Sequence, residues 1–339
     1  MKKLVWILVS LILVGCSVNM PVPTSTANIQ LSHHSHSLEK IQNAKLIWST
    51  KDVYVIWNKF DATLSARDGE VCFLGDSSLH QDKLLFCLDG QTGELLWKTE
   101  SGIHSALEVT SDGVFVTYNS PAEAKKYDRE TGIVEWSRSL GGSGSYYFYV
   151  VDNRLQISTN PSKIIVLDFD GNLIKEFNSG TTTYLSVHDE TFIRLNGLVS
   201  MDTNTSEVKW EFRDMDNLFD FMPYFSEDKI FVRTGLQLGS VYALDRKSGV
   251  LLWETSGIIS NVVHSSSHHS IYALRKDGKL VAFDDKTGNE QIVASFTSVP
   301  FILAGNEKVG GYQIAYDEDN AMLFLSLGDS GQLFAFKEE

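Results

Sequence analysis

One short motif recurs along the chain, and it constrains the fold more than any other feature. It starts with Asp, has Ser or Thr three residues later and usually Gly at the fourth position, and ends with a large apolar residue at the eighth. Clear copies are "LDGQTGELLW" at 88–97, "YDRETGIVEW" at 127–136 and "LDRKSGVLLW" at 244–253. Copies follow one another at about 40 residues, a period typical of repeat architectures.

Each part of the motif suits a tight hairpin. Asp accepts hydrogen bonds from the backbone that follows it and so starts a turn. Gly adopts the positive φ that a short hairpin loop requires. The predicted turn residues are Asp89, Gly93, Asp128, Gly132, Asp245, Gly249, Asp284 and Gly288.

Two further strand-like runs precede each turn, such as "SALEVT" at 105–110 and "GVFVTY" at 113–118. Each repeat therefore holds about four short strands, which is the content of one β-propeller blade. No stretch of the chain has the periodicity of an amphipathic helix. We predict an all-β fold, a single β-propeller over residues 43–339.

The two ends of the chain predict how the propeller closes. The last repeat, "GQLFAFKEE", ends before its fourth strand, whereas "AKLIWST" at 44–50 aligns with "GELLWKT" at 93–99. We expect the N-terminal strand to complete the last blade, giving seven blades of four antiparallel strands. Eight blades would need a hidden repeat within 49–88 or 297–334. The residues expected to dock each blade on its neighbour are Trp48, Trp97, Trp136, Phe177, Trp210, Trp253 and Ile292.

The N-terminus predicts export. "MKKLVWILVSLILVGC" has two lysines and then an apolar run over residues 4–14, shorter than the roughly 20 residues that span a bilayer. Its last four residues resemble the bacterial lipobox, which implies lipidation of Cys16. We predict a signal peptide at 1–15, a flexible tether at 16–42 and an exported lipoprotein of the cell envelope. An ordinary signal peptide with a chance cysteine is the alternative.

The side chain after the lipobox cysteine and the net charge bear on location and partners. Ser17 favours the outer membrane, facing the periplasm, over the inner membrane. The net charge of −14 repels phosphate backbones, so no nucleic-acid partner is expected.

The repeat resembles the tryptophan-docking motif of quinoprotein (PQQ-like) propellers, A-x-D-x-x-T-G-x-x-x-W. "ALDRKSGVLLW" at 243–253 matches it with Ser for Thr, and "CLDGQTGELLW" at 87–97 with Cys for Ala. Among lipid-anchored propellers the chain is similar to the BamB family. That resemblance implies a non-catalytic, membrane-anchored scaffold that binds a protein partner, in outer-membrane protein assembly. We expect a monomer.

Two other function classes stay open: an exported propeller enzyme (a lyase or a quinoprotein) and a glycan-binding lectin. Quinone-dependent dehydrogenases carry an adjacent cysteine pair over their cofactor, and this chain has no adjacent cysteines. We therefore predict no cofactor and no catalytic residues. A catalytic propeller would collect charged residues from several blades in one axial funnel, whereas a scaffold would show an apolar or charged patch.

Cys72 and Cys87 lie in the two arms of one predicted hairpin. Because an exported protein meets an oxidising compartment, a disulfide between them is a candidate, with two buried thiols as the alternative. The histidines at 33–36 and 264–269 accompany no zinc-binding motif, so no metal site is predicted.

Two acidic runs remain, at 212–220 and 316–321. The second is expected to be a solvated loop. The first alternates acids with apolar residues, a feature of partner-binding loops. The candidate partner-loop residues are Asp214, Met215, Asp216, Leu218 and Phe219.

Overall fold

The computed structural model describes residues 38–50, 54–55, 63–76, 83–100, 103–141, 145–159, 163–178, 183–187, 190–194, 197–202, 205, 207–213, 223–234, 238–297, 312–327 and 331–338. These residues form strands and turns, and no helix occurs among them. Within the same ranges, no helix is long and apolar enough to cross a membrane.

The strands are short and follow one another closely along the chain. In order they are β1 Leu38–Ile41, β2 Ala44–Thr50, β3 Tyr54–Val55, β4 Leu64–Arg67, β5 Glu70–Asp76, β6 Lys83–Asp89, β7 Leu95–Glu100, β8 Ile103–Val109, β9 Val114–Ser120, β10 Ala122–Tyr127, β11 Val134–Ser139, β12 Ser145–Val151, β13 Arg154–Thr159, β14 Lys163–Asp168 and β15 Leu173–Asn178. The second half contains β16 Thr183–Val187, β17 Glu190–Arg194, β18 Leu198–Asp202, β19 Val208–Phe212, β20 Tyr224–Phe225, β21 Lys229–Arg233, β22 Gly239–Asp245, β23 Leu251–Ile258, β24 Val263–Ser265, β25 Ser270–Leu274, β26 Lys279–Asp284, β27 Glu290–Phe296, β28 Tyr312–Asp317, β29 Met322–Leu327 and β30 Leu333–Glu338.

Among the described residues these strands pair into seven antiparallel sheets, the arrangement of a β-propeller. Six are built from consecutive strands and are here called blades 1 to 6: β4–β7, β8–β11, β12–β15, β16–β19, β20–β23 and β24–β27. Strand β3 adds to β5 of blade 1. The prediction of an all-β propeller is confirmed.

The remaining sheet draws on both ends of the described chain, and we call it the composite sheet. Its order is β2-β30-β29-β28. Ala44 lies opposite Glu338 and Thr50 opposite Leu333, so the predicted stretch 44–50 does form the outer strand beside the last three strands.

Residues 38–41 depart from the sequence prediction, which placed them in a flexible tether. They form β1, which pairs with the outer strand of blade 6, with Leu38 opposite Phe296 and Ile41 opposite Ala294. The predicted boundary at residue 43 is therefore wrong. The physical reason is that Leu38 and Ile41 pack against the apolar cluster that contains Phe296, so this short stretch gains buried contacts as well as backbone hydrogen bonds.

The core lies between the faces of neighbouring sheets. One cluster joins blades 1 and 2 and includes Leu74, Trp97 and Val116. Another joins blades 5 and 6 and includes Phe231, Trp253 and Phe283. Because strands in each blade alternate their side chains between two faces, each blade contributes to the packing on both sides.

In each blade the turn between the first two strands and the turn between the last two lie at the same edge of the sheet, because all neighbouring strands are antiparallel. We call this the turn edge. It carries the repeated Asp motifs, and the functional features described next lie there or along the outer strands.

Candidate functional site

The repeated Asp residues organise the turns through their own carboxylates. Asp128 Oδ1 accepts hydrogen bonds from the backbone N–H of Thr131 at 2.8 Å and from its hydroxyl at 2.5 Å. These bonds favour the ionised carboxylate, so the pKa of Asp128 is lowered from its ordinary value. Asp89, Asp245 and Asp284 bond the residue three positions later in the same way.

The tryptophans join one sheet to the next by a repeated contact. Each indole N–H donates to a backbone carbonyl in the Asp turn of the following sheet. The pairs are Trp48 with Gly90 O at 2.8 Å, Trp97 with Arg129 O at 2.5 Å, Trp136 with Phe169 O at 2.9 Å, Trp210 with Arg246 O at 2.9 Å and Trp253 with Asp285 O at 3.1 Å.

In the Asp turns that contain a glycine, the glycine leaves room for the tryptophan ring of the preceding sheet. A Cβ atom placed on Gly132 would lie 2.4 Å from Cε3 of Trp97, and one on Gly249 would lie 2.5 Å from Cδ2 of Trp210. Both glycines have a positive φ, 67° and 70°. The motif thus requires glycine twice over, for the backbone conformation and for the ring of the neighbouring sheet.

A β-bulge sets the direction of the tryptophans. In blade 1, Trp97 lies opposite Cys87 and Leu95 lies opposite Leu88, so Leu96 is the extra residue. A bulge at this place re-aims the next side chain. Small residues stand opposite the tryptophans at Cys87, Ser200, Ala243 and Ala335.

Two predicted docking residues do not occupy this position. In blade 3 the bulge falls at Ile174, so Lys175 follows it and Phe177 lies two residues further on, opposite Ile164. The ammonium of Lys175 lies 5.0 Å from the centroid of the Phe177 ring. Blade 3 therefore presents an aromatic ring beside a lysine, whereas blades 1, 2, 4 and 5 and the composite sheet present an indole.

Ile292 is the second predicted docking residue that lies outside the docking position. Blade 6 has its bulge at Val293, after Ile292 instead of before it. A shift of one residue turns a side chain to the other face of a strand. Ile292 consequently packs with the cluster of Trp253 and Phe283, between blades 5 and 6, and not on the following sheet.

Exposed apolar side chains follow the Asp turns along the outer strands of blades 1 to 5. We call this set the outer belt: Leu95, Leu96, Ile133, Val134, Leu173, Ile174, Val208, Val250, Leu251 and Leu252. Their exposed fractions run from 41% for Leu251 to 67% for Ile133. Single exposed apolar residues are ordinary, but a repeated set on successive blades is typical of an interaction surface.

The outer belt ends at blade 6. The same positions there are Glu290 and Gln291, and the strand edge carries β1. In the composite sheet Leu46 and Ile47 are half-buried and do not extend the belt, because both pack against neighbouring clusters. The belt therefore covers the part of the rim that the N-terminal strands leave open.

The acidic run at 316–321 is partly solvated, with Glu318 and Asp319 exposed, and it also makes hydrogen bonds to neighbouring turns. Asp317 accepts hydrogen bonds from the backbone N–H groups of Asp68 at 3.0 Å and Gly69 at 2.7 Å, in blade 1. Glu318 accepts from the N–H groups of Ser266 and Ser267, in blade 6. Carboxylates suit these positions because each one accepts hydrogen bonds from two backbone N–H groups.

A cavity of about 430 Å³ lies among the innermost strands, near the turn edge. Its described lining comes from β4, β8, β20, the β24 region and the β28 region, so five sheets contribute. The polar side chains that distinguish it are Arg67, Glu108, Tyr224, His264, Glu318 and Asp319. Such convergence is the feature that the enzyme alternative required, and it makes this cavity a candidate ligand site.

Two of these groups already have partners. His264 Nε2 lies 3.2 Å from Asp285 Oδ2, and burial lowers the pKa of His264, so the ring is neutral near pH 7. Glu318 is held by Ser266 and Ser267. Among described residues, His264 hydrogen-bonds no hydroxyl or thiol, and the Ser266 hydroxyl donates to Glu318 Oε1 at 2.7 Å.

Glu108 is the exception in the cavity. Its carboxyl makes no hydrogen bond or ion pair with a described residue, and burial raises its pKa to about 7, with Arg67 opposing the shift. A carboxyl with that pKa changes charge near neutral pH. Glu108 belongs to none of the repeated motifs.

The remaining predicted residues are placed as follows. Cys72 and Cys87 are joined by a disulfide across β5 and β6, with Cα atoms 4.1 Å apart and both side chains fully buried. Within the described ranges no group of His, Cys, Asp and Glu is arranged to hold a metal ion. Cys16 and the candidate partner-loop residues, Asp214, Met215, Asp216, Leu218 and Phe219, lie outside the described residues.

Comparison with known proteins gives a family match. A family model described as "Outer membrane protein assembly factor BamB" matches residues 37–189 and 176–300. A curated protein of that name from Shewanella oneidensis is 23% identical over 237 residues, which is 61% of this chain and 57% of that protein. The chain thus covers less than two thirds of that relative's length.

Two solved structures show the same fold at low identity. The WD40 domain of Neurospora crassa Pan2 is 12% identical with a TM-score of 0.63, covering 89% of this chain and 97% of that one. A chain of the mitotic checkpoint complex is 10% identical with a TM-score of 0.65, covering 89% and 96%. BamB from Moraxella catarrhalis is 17% identical with a TM-score of 0.49, covering 88% and 98%.

Proposed function

Because this chain belongs to the family of the outer membrane protein assembly factor BamB, we propose that it is a non-catalytic propeller scaffold that binds a protein partner in outer-membrane protein assembly. The family match over residues 37–300 is the observation that carries this proposal. A scaffold needs a rigid body and an adhesive surface. The docked sheets supply the first, and the outer belt supplies the second.

The partner surface that we propose is the outer belt, and its occupant is an assembly protein with an apolar strip of its own. Exposed apolar residues occur on the outer strand of each of five successive blades, and the belt stops where β1 covers blade 6. Apolar residues at a surface are desolvated when a partner packs on them, at roughly 25 cal/mol for each Å² buried. The loop around 214–219 is a second proposed contact.

The tether places the scaffold at a membrane. We propose that Cys16 is lipidated, that residues 17–37 connect it to the propeller, and that the protein is a monomer in the outer membrane facing the periplasm. A Cys16→Ser variant recovered in the membrane fraction as fully as the wild type would overturn the anchor.

The composite sheet is, in our proposal, a seventh blade that closes the ring. The contact of Trp48 with Gly90 repeats the joint between the other blades, and Asp317 adds hydrogen bonds to the blade 1 turn. Trp48→Ala is expected to lower the free energy of unfolding by at least about 2 kcal/mol, and Trp97→Ala is expected to do the same. Urea unfolding measures this effect. If Trp48→Ala lowers the free energy of unfolding by less than a surface substitution does, the ring is open.

The partner surface is tested by photo-crosslinking. With a photoreactive side chain at Ile133, in the belt, we expect a crosslink to a protein of the outer-membrane assembly machinery, identified by mass spectrometry. Gln291 is the matched control, because it occupies the equivalent outer strand of blade 6 and is exposed. An Ile133→Asp change should weaken co-purification of the same protein about tenfold, since a buried unpaired charge is costly.

Two outcomes would contradict the proposal. One is equal crosslinking from Ile133 and Gln291, which indicates nonspecific contact. The other is a crosslinked protein with no part in outer-membrane assembly.

A further inference from the structure

We propose that the cavity near the turn edge binds a small organic cation, a primary amine, whose ammonium group pairs with Glu108. This inference concerns the axis of the propeller and is independent of the scaffold function, which uses the rim. It rests on the balance of charges in the cavity, on its walls and on a carboxyl that has no hydrogen-bond or ion-pair partner within the part of the chain that the structure describes.

Among the described residues that line the cavity, the three carboxyls Glu108, Glu318 and Asp319 outnumber the cationic side chains. Because His264 is neutral, Arg67 is the only cationic side chain among the described residues that line the cavity. Arg67 Nε lies 3.9 Å from Asp68 Oδ2. Asp319 hydrogen-bonds with Asp68, and this contact raises the pKa of Asp319. Glu318 is fully engaged by backbone and hydroxyl donors. Glu108 remains, and a carboxylate in a recessed site is stabilised when a cation joins it.

The walls suit a cation with a short apolar chain. The rings of Tyr224 and His264 lie 5.3 Å apart, centroid to centroid, and Val109 and Val262 also line the cavity. Methylene groups pack on such a wall, and an ammonium is attracted to the face of an aromatic ring. The volume of about 430 Å³ admits a ligand of several heavy atoms.

Proton release accompanies binding. Burial raises the pKa of Glu108 to about 7, and an ammonium beside it favours the ionised form. Affinity should therefore fall as the pH drops through 7. The other titratable and charged groups that line the cavity are Arg67, Tyr224, His264, Tyr316, Glu318 and Asp319. Tyr224 stays neutral because burial raises its pKa to about 12. His264, whose pKa is lowered, gains charge only at the acidic end.

The test uses the full chain and two ligands of the same shape, n-butylamine and n-butanol, measured by titration calorimetry. At pH 8 we expect saturable binding of the amine and at least about tenfold weaker binding of the alcohol, the size expected for loss of a charge-assisted pair. At pH 5.5 the amine, itself still protonated, should bind about tenfold more weakly than at pH 8.

Glu108→Gln separates this site from general attraction to an acidic protein. It should remove both the affinity and its pH dependence. Glu207→Gln is the matched control, because it removes the same charge from an exposed turn position and should retain both. Thermal unfolding of each variant reports whether the fold is intact. Wild-type protein that does not saturate with millimolar amine, or Glu108→Gln protein that binds it as tightly as the wild type, would overturn the inference.

Discussion

Gly132→Ala is expected to lower the free energy of unfolding by about 3 kcal/mol or more. Two costs combine. A side chain at the observed φ of 67° is strained by roughly 1 kcal/mol or more. The new methyl group would also lie 2.4 Å from Cε3 and 2.6 Å from Cδ2 of Trp97, and overpacking of this kind costs roughly 1–3 kcal/mol.

Gly141→Ala isolates the backbone cost. Gly141 has a φ of 66°, and a Cβ atom there would meet nothing within 4 Å. Urea unfolding of this variant should show a loss of about 1 kcal/mol only. In a Trp97→Ala background the collision disappears, so the additional loss from Gly132→Ala should shrink to the Gly141→Ala value. Equal losses from the two glycine variants in the wild-type background would show that the ring does not require the glycine.

The repeated motif predicted much of the fold because its parts act locally. Asp128, Thr131 and Gly132 form their turn with hydrogen bonds inside five residues. Strand alternation around such turns then indicates the blades. The pairing of β2 with β30 was also readable, since residues 44–50 repeat the pattern of residues 93–99.

Phe177 and Ile292 lie away from the docking position, and the sequence does not show this because counting residues from an Asp does not locate a bulge. The bulge at Ile174 puts Lys175 in the docking position and leaves Phe177 two residues further along the same face. The bulge at Val293 turns Ile292 to the opposite face. Residues 38–41 were missed for another reason. "LEKI" has too few apolar residues to signal a strand alone, and it becomes one because blade 6 offers an open edge.

The two candidate surfaces differ in how visible they are in the sequence. The outer belt was predictable from the sequence. In "ELLW", "IVEW" and "VLLW" the tryptophan docks on the next sheet, so the apolar residues just before it are left at the surface. The cavity was not predictable. Arg67, Glu108, Tyr224 and Asp319 are separated by long stretches of sequence and meet only when the innermost strands surround one axis. One local sign was present, a Glu between two buried apolar residues in "SALEVT".

Reduction of the Cys72–Cys87 disulfide is expected to lower the free energy of unfolding by about 3 kcal/mol, the value for closing a loop of this length. The two cysteines are 15 residues apart in sequence. Because both sulfur-bearing side chains are fully buried, the reductant should act mainly on unfolded molecules. Urea unfolding with and without dithiothreitol measures the effect, and the curve with reductant should move to lower urea.

A Cys72→Ala/Cys87→Ala variant distinguishes the covalent bond from the packing of the same atoms. It should unfold at low urea whether or not dithiothreitol is present, since it has no bond to reduce. Its loss should exceed that of reduction, because both side chains belong to the cluster between blades 1 and 2 and their removal leaves a cavity. If dithiothreitol leaves the wild-type curve unchanged, the cysteines are thiols in solution, and the link between β5 and β6 rests on their backbone hydrogen bonds alone.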